Sequence, residues 1–212
     1  MENYFFDFDG TLCESRDIYV ASVQKTFEEH GVKVPTRAEV YGAMGIPINV
    51  SIARWARAGH RPELANRLFE EAMAEYNKLE DGMVKVFPGI SKLLTELLLA
   101  GKKLYVCSSK THAELAHNLE MLHMTSFFTD FVGADEVVNH KPAPDEIELL
   151  AKRYDLDLAD SIMLGDAKYD IKMGKNAGCQ TCACTWGAFD LAALAAEKPD
   201  FTASYPTDNL SF

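Results

Sequence analysis

The sequence has no apolar run long enough to cross a bilayer. Its longest stretches free of Asp, Glu, Lys and Arg are Val40–Ala53 and Asn176–Phe189, and neither reaches the ~18 apolar residues that a span requires. A surplus of positive charge is also missing. The 212 residues carry 21 Lys and Arg against 32 Asp and Glu, a formal net charge of −11. That balance argues against a nucleic-acid backbone or an anionic membrane as the main partner. The opening Met1-Glu2-Asn3 has no basic region before an apolar core, so no secretory signal is expected and a cytoplasmic location is. Repeats and low-complexity segments are absent. Cysteines are few and odd in number, five in all, and Cys179, Cys182 and Cys184 share one short apolar stretch with no second Cys/His pair at finger spacing. They read as reduced thiols filling a core. The six histidines show no metal spacing either.

What is present is the composition of a globular protein, 48% apolar and 25% charged. Short apolar runs alternate with helical patterns. Strands are expected at Tyr4–Phe8, Leu104–Cys107, Asp130–Gly133, Ser161–Leu164 and Thr181–Cys184, with a possible edge strand at Phe201–Ala203. Most are continuously apolar, as strands covered on both faces should be. Between them Ile90, Leu93, Leu94, Leu97 and Leu98 recur at helical spacing before Gly101, and Leu115, Leu119 and Leu122 repeat the pattern, as do Ile147, Leu150, Ala151 and Tyr154. This alternation predicts an α/β fold, a doubly wound parallel sheet whose ligands bind beyond the carboxyl ends of its strands. One segment departs from it. Residues 16–85 contain helical stripes (Tyr19, Val20, Val23, Phe27; then Leu64, Leu68, Ala72, Tyr76, Leu79) and nothing resembling a strand. The expected organisation is a core of residues 1–15 and 86–212 with an inserted all-helical domain at 16–85.

The sharpest chemical signal is Phe5-Phe6-Asp7-Phe8-Asp9-Gly10-Thr11-Leu12. Alternate residues of a strand face one side, so Asp7 and Asp9 share a pocket at its carboxyl end. Gly10 permits a sharp turn whose N–H groups can cradle an anion. Two adjacent carboxylates repel unless a cation lies between them, and the natural guest for oxygen ligands is Mg²⁺. Further along, Ser108-Ser109-Lys110 ends the second core strand. His140-Lys141-Pro142-Ala143-Pro144-Asp145 places a lysine before a stiffened loop, and Gly165-Asp166-Ala167-Lys168-Tyr169-Asp170 ends another apolar strand. A hydroxyl at Ser108 and the Lys141 ammonium suit a phosphoryl group in flight, which carries its charge on three equatorial oxygens. A surface position is the alternative for Lys141. Asp166 needs a partner at the end of an apolar strand, which a metal supplies. Asp170 stands either behind the metal ligands or as a helix acid answering the dipole.

These four segments, in this order, resemble the haloacid dehalogenase superfamily, with its Asp-x-Asp-Gly-Thr, Ser/Thr, Lys-Pro-x-Pro and Gly-Asp-x-x-x-Asp motifs. The gaps of 101, 33 and 25 residues from Asp7 to Ser108, Lys141 and Asp166 leave room for a domain in the first alone. The resemblance implies a Rossmann-like core with a mobile helical cap. It implies Asp7 as a nucleophile forming an aspartyl-phosphate and Asp9 as the acid and base for the leaving oxygen and water. Mg²⁺ would lie on the Asp7 side chain, the Asp9 carbonyl and Asp166. Phosphate would meet Gly10, Thr11, Ser108, the Ser109 N–H and Lys141.

Within the family, dehalogenases carry Tyr and phosphonatases Ala where this chain has Asp9. The phosphonatase lysine after Met44-Gly45 is replaced by Ile48. Gly45-Ile46-Pro47 and Thr185-Trp186-Gly187 look most like the phosphoglycolate-phosphatase type. Glu14 and Ala167 depart from the common Asp and Ser. The implied activity is hydrolysis of small phosphorylated metabolites. A sugar phosphomutase of the β-phosphoglucomutase type is the alternative, although that enzyme's Arg-Glu-Asp-Ser run is here Ile48-Asn49-Val50-Ser51. A non-catalytic phospho-acceptor module, which would lack a 70-residue cap, is a more distant one. Arg54, beside the Gly45–Pro47 loop, is the candidate substrate contact, while Arg37, Arg57 and Arg61 are expected on solvated faces.

Overall fold

The structure, a computed structural model, describes residues 1–208. Residues 209–212 of the expected core segment lie outside the described residues. In chain order the elements are β1 (Asn3–Phe6), β2 (Cys13–Glu14), α1 (Arg16–Glu29), α2 (Arg37–Tyr41), α3 (Ile48–Ala58), α4 (Ala65–Met83), β3 (Lys85–Val86), α5 (Ile90–Leu99) and β4 (Lys103–Ser108). They continue with α6 (His112–Met121), β5 (Asp130–Gly133), α7 (Asp145–Tyr154), β6 (Ser161–Gly165), α8 (Lys168–Ala177), β7 (Gln180–Cys184), α9 (Leu191–Ala196) and β8 (Phe201–Ala203).

Six strands form one parallel sheet in the order β5-β4-β1-β6-β7-β8. The strands are continuously apolar because each face of the sheet is covered. Tyr4 and Phe6 join Leu104, Val106, Ile162 and Leu164 in one cluster. Phe5 points the other way, joining Tyr105, Met163, Ile147, Leu150 and Met173. Each of these large side chains is worth about 1.5–3 kcal/mol once buried. All five cysteines are buried free thiols. The chain leaves β1 toward β4 on one side and later returns to β6 on the other. The carboxyl end of β1 is therefore the point where strand order reverses, and ligands of such sheets bind there.

Between β2 and β3 the chain is helical, with α1 and α4 burying Val20, Val23, Phe27, Leu68, Ala72 and Tyr76 against one another and Trp55 of α3 against Phe27. A two-residue antiparallel ribbon joins the ends of this segment, Cys13 opposite Val86 and Glu14 opposite Lys85. The Phe87 N–H extends it to the Leu12 carbonyl at 3.0 Å. Sequence periodicity does not reveal the ribbon, because two residues per strand are too few to show a period of two.

Candidate active site

The sheet ladder outlasts β1 by one residue. The Asp7 N–H donates to the Leu164 carbonyl at 2.9 Å, so the Asp7 side chain is set by the sheet rather than by a loop. The chain then turns, with the Gly10 N–H on the Cys13 carbonyl at 2.8 Å. Gly10 has φ +87°, and a Cβ there would lie 2.3 Å from Asp166 Oδ2. Glycine is needed twice over, for the left-handed backbone and for the approach of Asp166. The Thr185–Gly187 turn is fastened onto this loop by Trp186 Nε1, which donates to the Thr11 carbonyl at 2.9 Å.

Lys141 is buried, not a surface lysine. Its Nζ donates to Asp7 Oδ1 at 2.6 Å and to Asp170 Oδ1 at 2.8 Å. Burial opposes its charge, yet Asp170, Asp7 and Glu146 together hold it well above the ordinary lysine range. Asp170 lies in the first turn of α8, where its Oδ2 also accepts from the Ala167 N–H at 3.0 Å. It is at once a helix acid and the second partner of Lys141.

Asp7, Asp166 and Asp170 each present an oxygen within 4.8 Å of the others, and all three residues are buried. Burial pushes the Asp7 carboxyl up to about 7, against the pull of Lys141, and Asp170 and Asp9 add to the rise. Asp166 is raised well above its ordinary value by burial and by Asp7 and Asp170, with Arg16 opposing. Carboxylates this crowded and this dry are unfavourable on their own and become favourable around a hard dication, so the donor set fits Mg²⁺.

Asp9 is paired separately. Ser15 Oγ donates to its Oδ1 at 2.5 Å, and Lys110 Nζ lies 3.7 Å from the same oxygen. Lys110 is itself buried and donates to Tyr19 Oη of α1 at 2.9 Å and Tyr76 Oη of α4 at 3.1 Å. Burial alone would lower its basicity, but Asp9 and the two tyrosines hold it well above the usual lysine range. Each of the first two aspartates thus has its own lysine. Lys110 carries no motif signal of its own in the sequence, though it stands two residues beyond the carboxyl end of β4, where site residues of such sheets gather. Glu146 has no sequence signal either. It is fully buried in the first turn of α7, and neither carboxylate oxygen has a hydrogen-bond partner.

A cavity of about 330 Å³ opens between these residues and the helical segment. Asp7, Asp9, Ser109 and Lys110 line it on the sheet side, and residues 43–49 with Val40 and Phe69 on the other. Thr11 and Ser108 are buried beneath it. The Thr11 hydroxyl donates to Asp166 Oδ1 at 3.3 Å, and Ser108 Oγ accepts from the Lys110 N–H at 3.2 Å. Their hydroxyls organise the neighbours of the cavity rather than its surface. Arg54 is not brought to the site. It is exposed and lines a different hollow with Asn49, Ala53 and Arg57. The reason is helical geometry: Ile48 enters the cavity at the start of α3, and a residue six positions on points away from it at 100° per residue.

Residues 4–184 match the family of haloacid dehalogenase-like hydrolases. Among similar proteins, the pyrophosphatase PpaX of Listeria monocytogenes serotype 4b is 30% identical over 208 residues, 97% of this chain and 93% of the relative. The pyrophosphatase PpaX of Bacillus velezensis is 27% identical over 205 residues, again 97% and 93% of the two chains. The solved structure of a haloacid dehalogenase-like family hydrolase from Streptococcus pneumoniae superposes with a TM-score of 0.84 at 27% identity, covering 97% of this chain and 95% of that one. That of a predicted phosphoglycolate phosphatase from Haemophilus somnus gives 0.88 at 18% identity over 98% and 96%, a likeness of fold. The chain belongs to the haloacid dehalogenase superfamily and is a hydrolase of its phosphatase branch.

Proposed function

We propose that the protein hydrolyses small phosphomonoesters with Mg²⁺ through an aspartyl-phosphate on Asp7. The observation that carries this reading is the pair at the end of β1, both facing one cavity, with Asp7 bonded to Lys141 and Asp9 beside Lys110. An Asp7 oxygen attacks phosphorus and the bond to the leaving oxygen breaks, while Asp9 gives that oxygen a proton. Asp9 then takes a proton from water as the water oxygen attacks phosphorus, the acyl-phosphate bond breaks, and Asp7 and inorganic phosphate are freed. Lys141 holds the attacking carboxylate and stands ready for the equatorial oxygens. The Ser109 N–H and the turn at Gly10 would meet the remaining phosphate oxygens. Asp7, Asp166 and the Asp9 carbonyl would hold the metal, with Asp170 behind them. When bound, Mg²⁺ neutralises charge on the carboxylates and the transferring group.

Residues 16–85 act in this reading as a cap that excludes water from the cavity. The relatives' name adds inorganic pyrophosphate to the substrates to be tried. A sugar phosphomutase must hold a bisphosphorylated sugar between its two half-reactions. Among the described residues lining the cavity, Lys110 is the one Lys or Arg side chain, and it is engaged by Asp9, Tyr19 and Tyr76. Transfer to water is therefore the reading we favour. It is tested by chelation: activity on an aryl phosphate should vanish in EDTA and return with Mg²⁺, and full activity in chelator would overturn the metal assignment.

A further inference from the structure

The cavity that faces Asp7 and Asp9 has an unequal distribution of charge. Lys141 has no exposed side-chain surface and is bonded to Asp7 and Asp170. Arg16 is turned toward Glu14 and the Gly187 carbonyl. Two carboxylates, Glu114 and Asp135, stand on the cavity wall in addition to the aspartates of the reaction centre. Opposite them the wall is apolar, built from Val40, Met44, Ile46, Ile48 and Phe69 among others. Two of the lining residues have a buried hydrogen-bonding atom without a protein partner, His140 Nδ1 and Ser109 Oγ.

Resting on the phosphatase reading, we infer that the leaving alcohol carries no negative charge and has an apolar body. The phosphoryl group has its counter-charges at the floor, in Lys141 and the dication that the carboxylates would hold. A second anion further out would meet the half-buried Glu114 and the exposed Asp135 with no unengaged Lys or Arg among the described lining residues to offset them, and like charges so placed repel. An uncharged alcohol meets no such opposition. Its apolar atoms gain from leaving water against the Ile46–Ile48 wall. The cavity, at about 330 Å³, lies at the low end of small-molecule sites, about 300–1,000 Å³. It suits a compact alcohol rather than a nucleotide.

The test uses matched pairs of monoesters that differ in charge and little in leaving-group reactivity: butyl phosphate against 3-carboxypropyl phosphate, and 4-methylphenyl phosphate against 4-carboxyphenyl phosphate. We expect kcat/KM to favour the uncharged member of each pair by roughly tenfold or more. The double variant Glu114→Gln, Asp135→Asn should narrow that ratio severalfold. Gln at position 114 keeps the cap of α6, where Glu114 accepts from the Thr111 N–H at 2.9 Å. Asn at 135 can still accept from the His112 N–H, which Asp135 meets at 2.6 Å. Equal or better turnover of the carboxylate-bearing members, or a preference for inorganic pyrophosphate over all four esters, would overturn the inference while leaving the phosphatase reading intact. A ratio untouched by the double variant would overturn the part assigned to Glu114 and Asp135. No hydrolysis of any monoester with Mg²⁺ present would remove the phosphatase reading and this inference with it.

Discussion

Glu146 has no exposed surface and no hydrogen-bond partner on either oxygen. Burial pushes its carboxyl from 4.5 up to about 8, with Lys141 opposing and Asp170 and Asp7 adding to the rise. The folded protein therefore keeps a proton that the unfolded chain releases between those two values. Stability from this residue is intact below about pH 4.5 and falls as pH rises toward 8. Glu146→Gln has no such proton to lose. Wild type and variant should match in urea unfolding near pH 4.5, while the variant gains on the order of 4 kcal/mol over wild type by about pH 9. Curves that stay parallel across that range would show that Glu146 is not a buried acid. The sequence holds little hint of this, because the residue reads as an ordinary first-turn glutamate. Its helix places it on the face that Ile147 and Leu150 bury.

At the scale of elements, the site is a set of strand ends. β1 presents Asp7, β4 presents Ser109 and Lys110, and β6 presents Asp166. These strands were legible because each is an apolar run set off by polar or glycine residues, and the register follows from parallel pairing around β1. What sequence could not show is which hydroxyls face the cavity. Thr11 and Ser108 are turned inward by bonds to Asp166 and the Lys110 N–H, contacts made across the fold or within a turn. Nor could it place Arg54, whose direction depends on where α3 begins. One tight joint between elements is Gly10 against Asp166. Gly10→Ala would force a side chain into left-handed backbone and into the Asp166 carboxylate. It should cost about 1–3 kcal/mol of stability and weaken the gain in Tm on adding Mg²⁺. A variant with wild-type Tm and the same response to Mg²⁺ would show that the approach of Asp166 to this loop is unimportant.

Across the whole molecule, the two aspartates tie into different parts of the structure. Asp7 is anchored to the sheet by its N–H on the Leu164 carbonyl, and its carboxylate is tied through Lys141 to Asp170 of α8. Asp9 reaches the helical segment through Lys110, Tyr19 and Tyr76. This division matches the division of labour we propose, a fixed nucleophile and an acid–base group coupled to the covering helices. The measurement that tests it most directly is a rapid acid quench followed by mass spectrometry, on Asp7→Asn and Asp9→Asn with an activated aryl phosphate and Mg²⁺. Losing general acid–base assistance should cost Asp9→Asn about 10²–10⁴-fold in turnover. Its first step, with a leaving group that needs little protonation, should outlast its second. Asp9→Asn should therefore accumulate acid-stable phosphoprotein, and Asp7→Asn should form none. Phosphate on Asp7→Asn protein, or wild-type turnover by Asp9→Asn, would contradict the assignment.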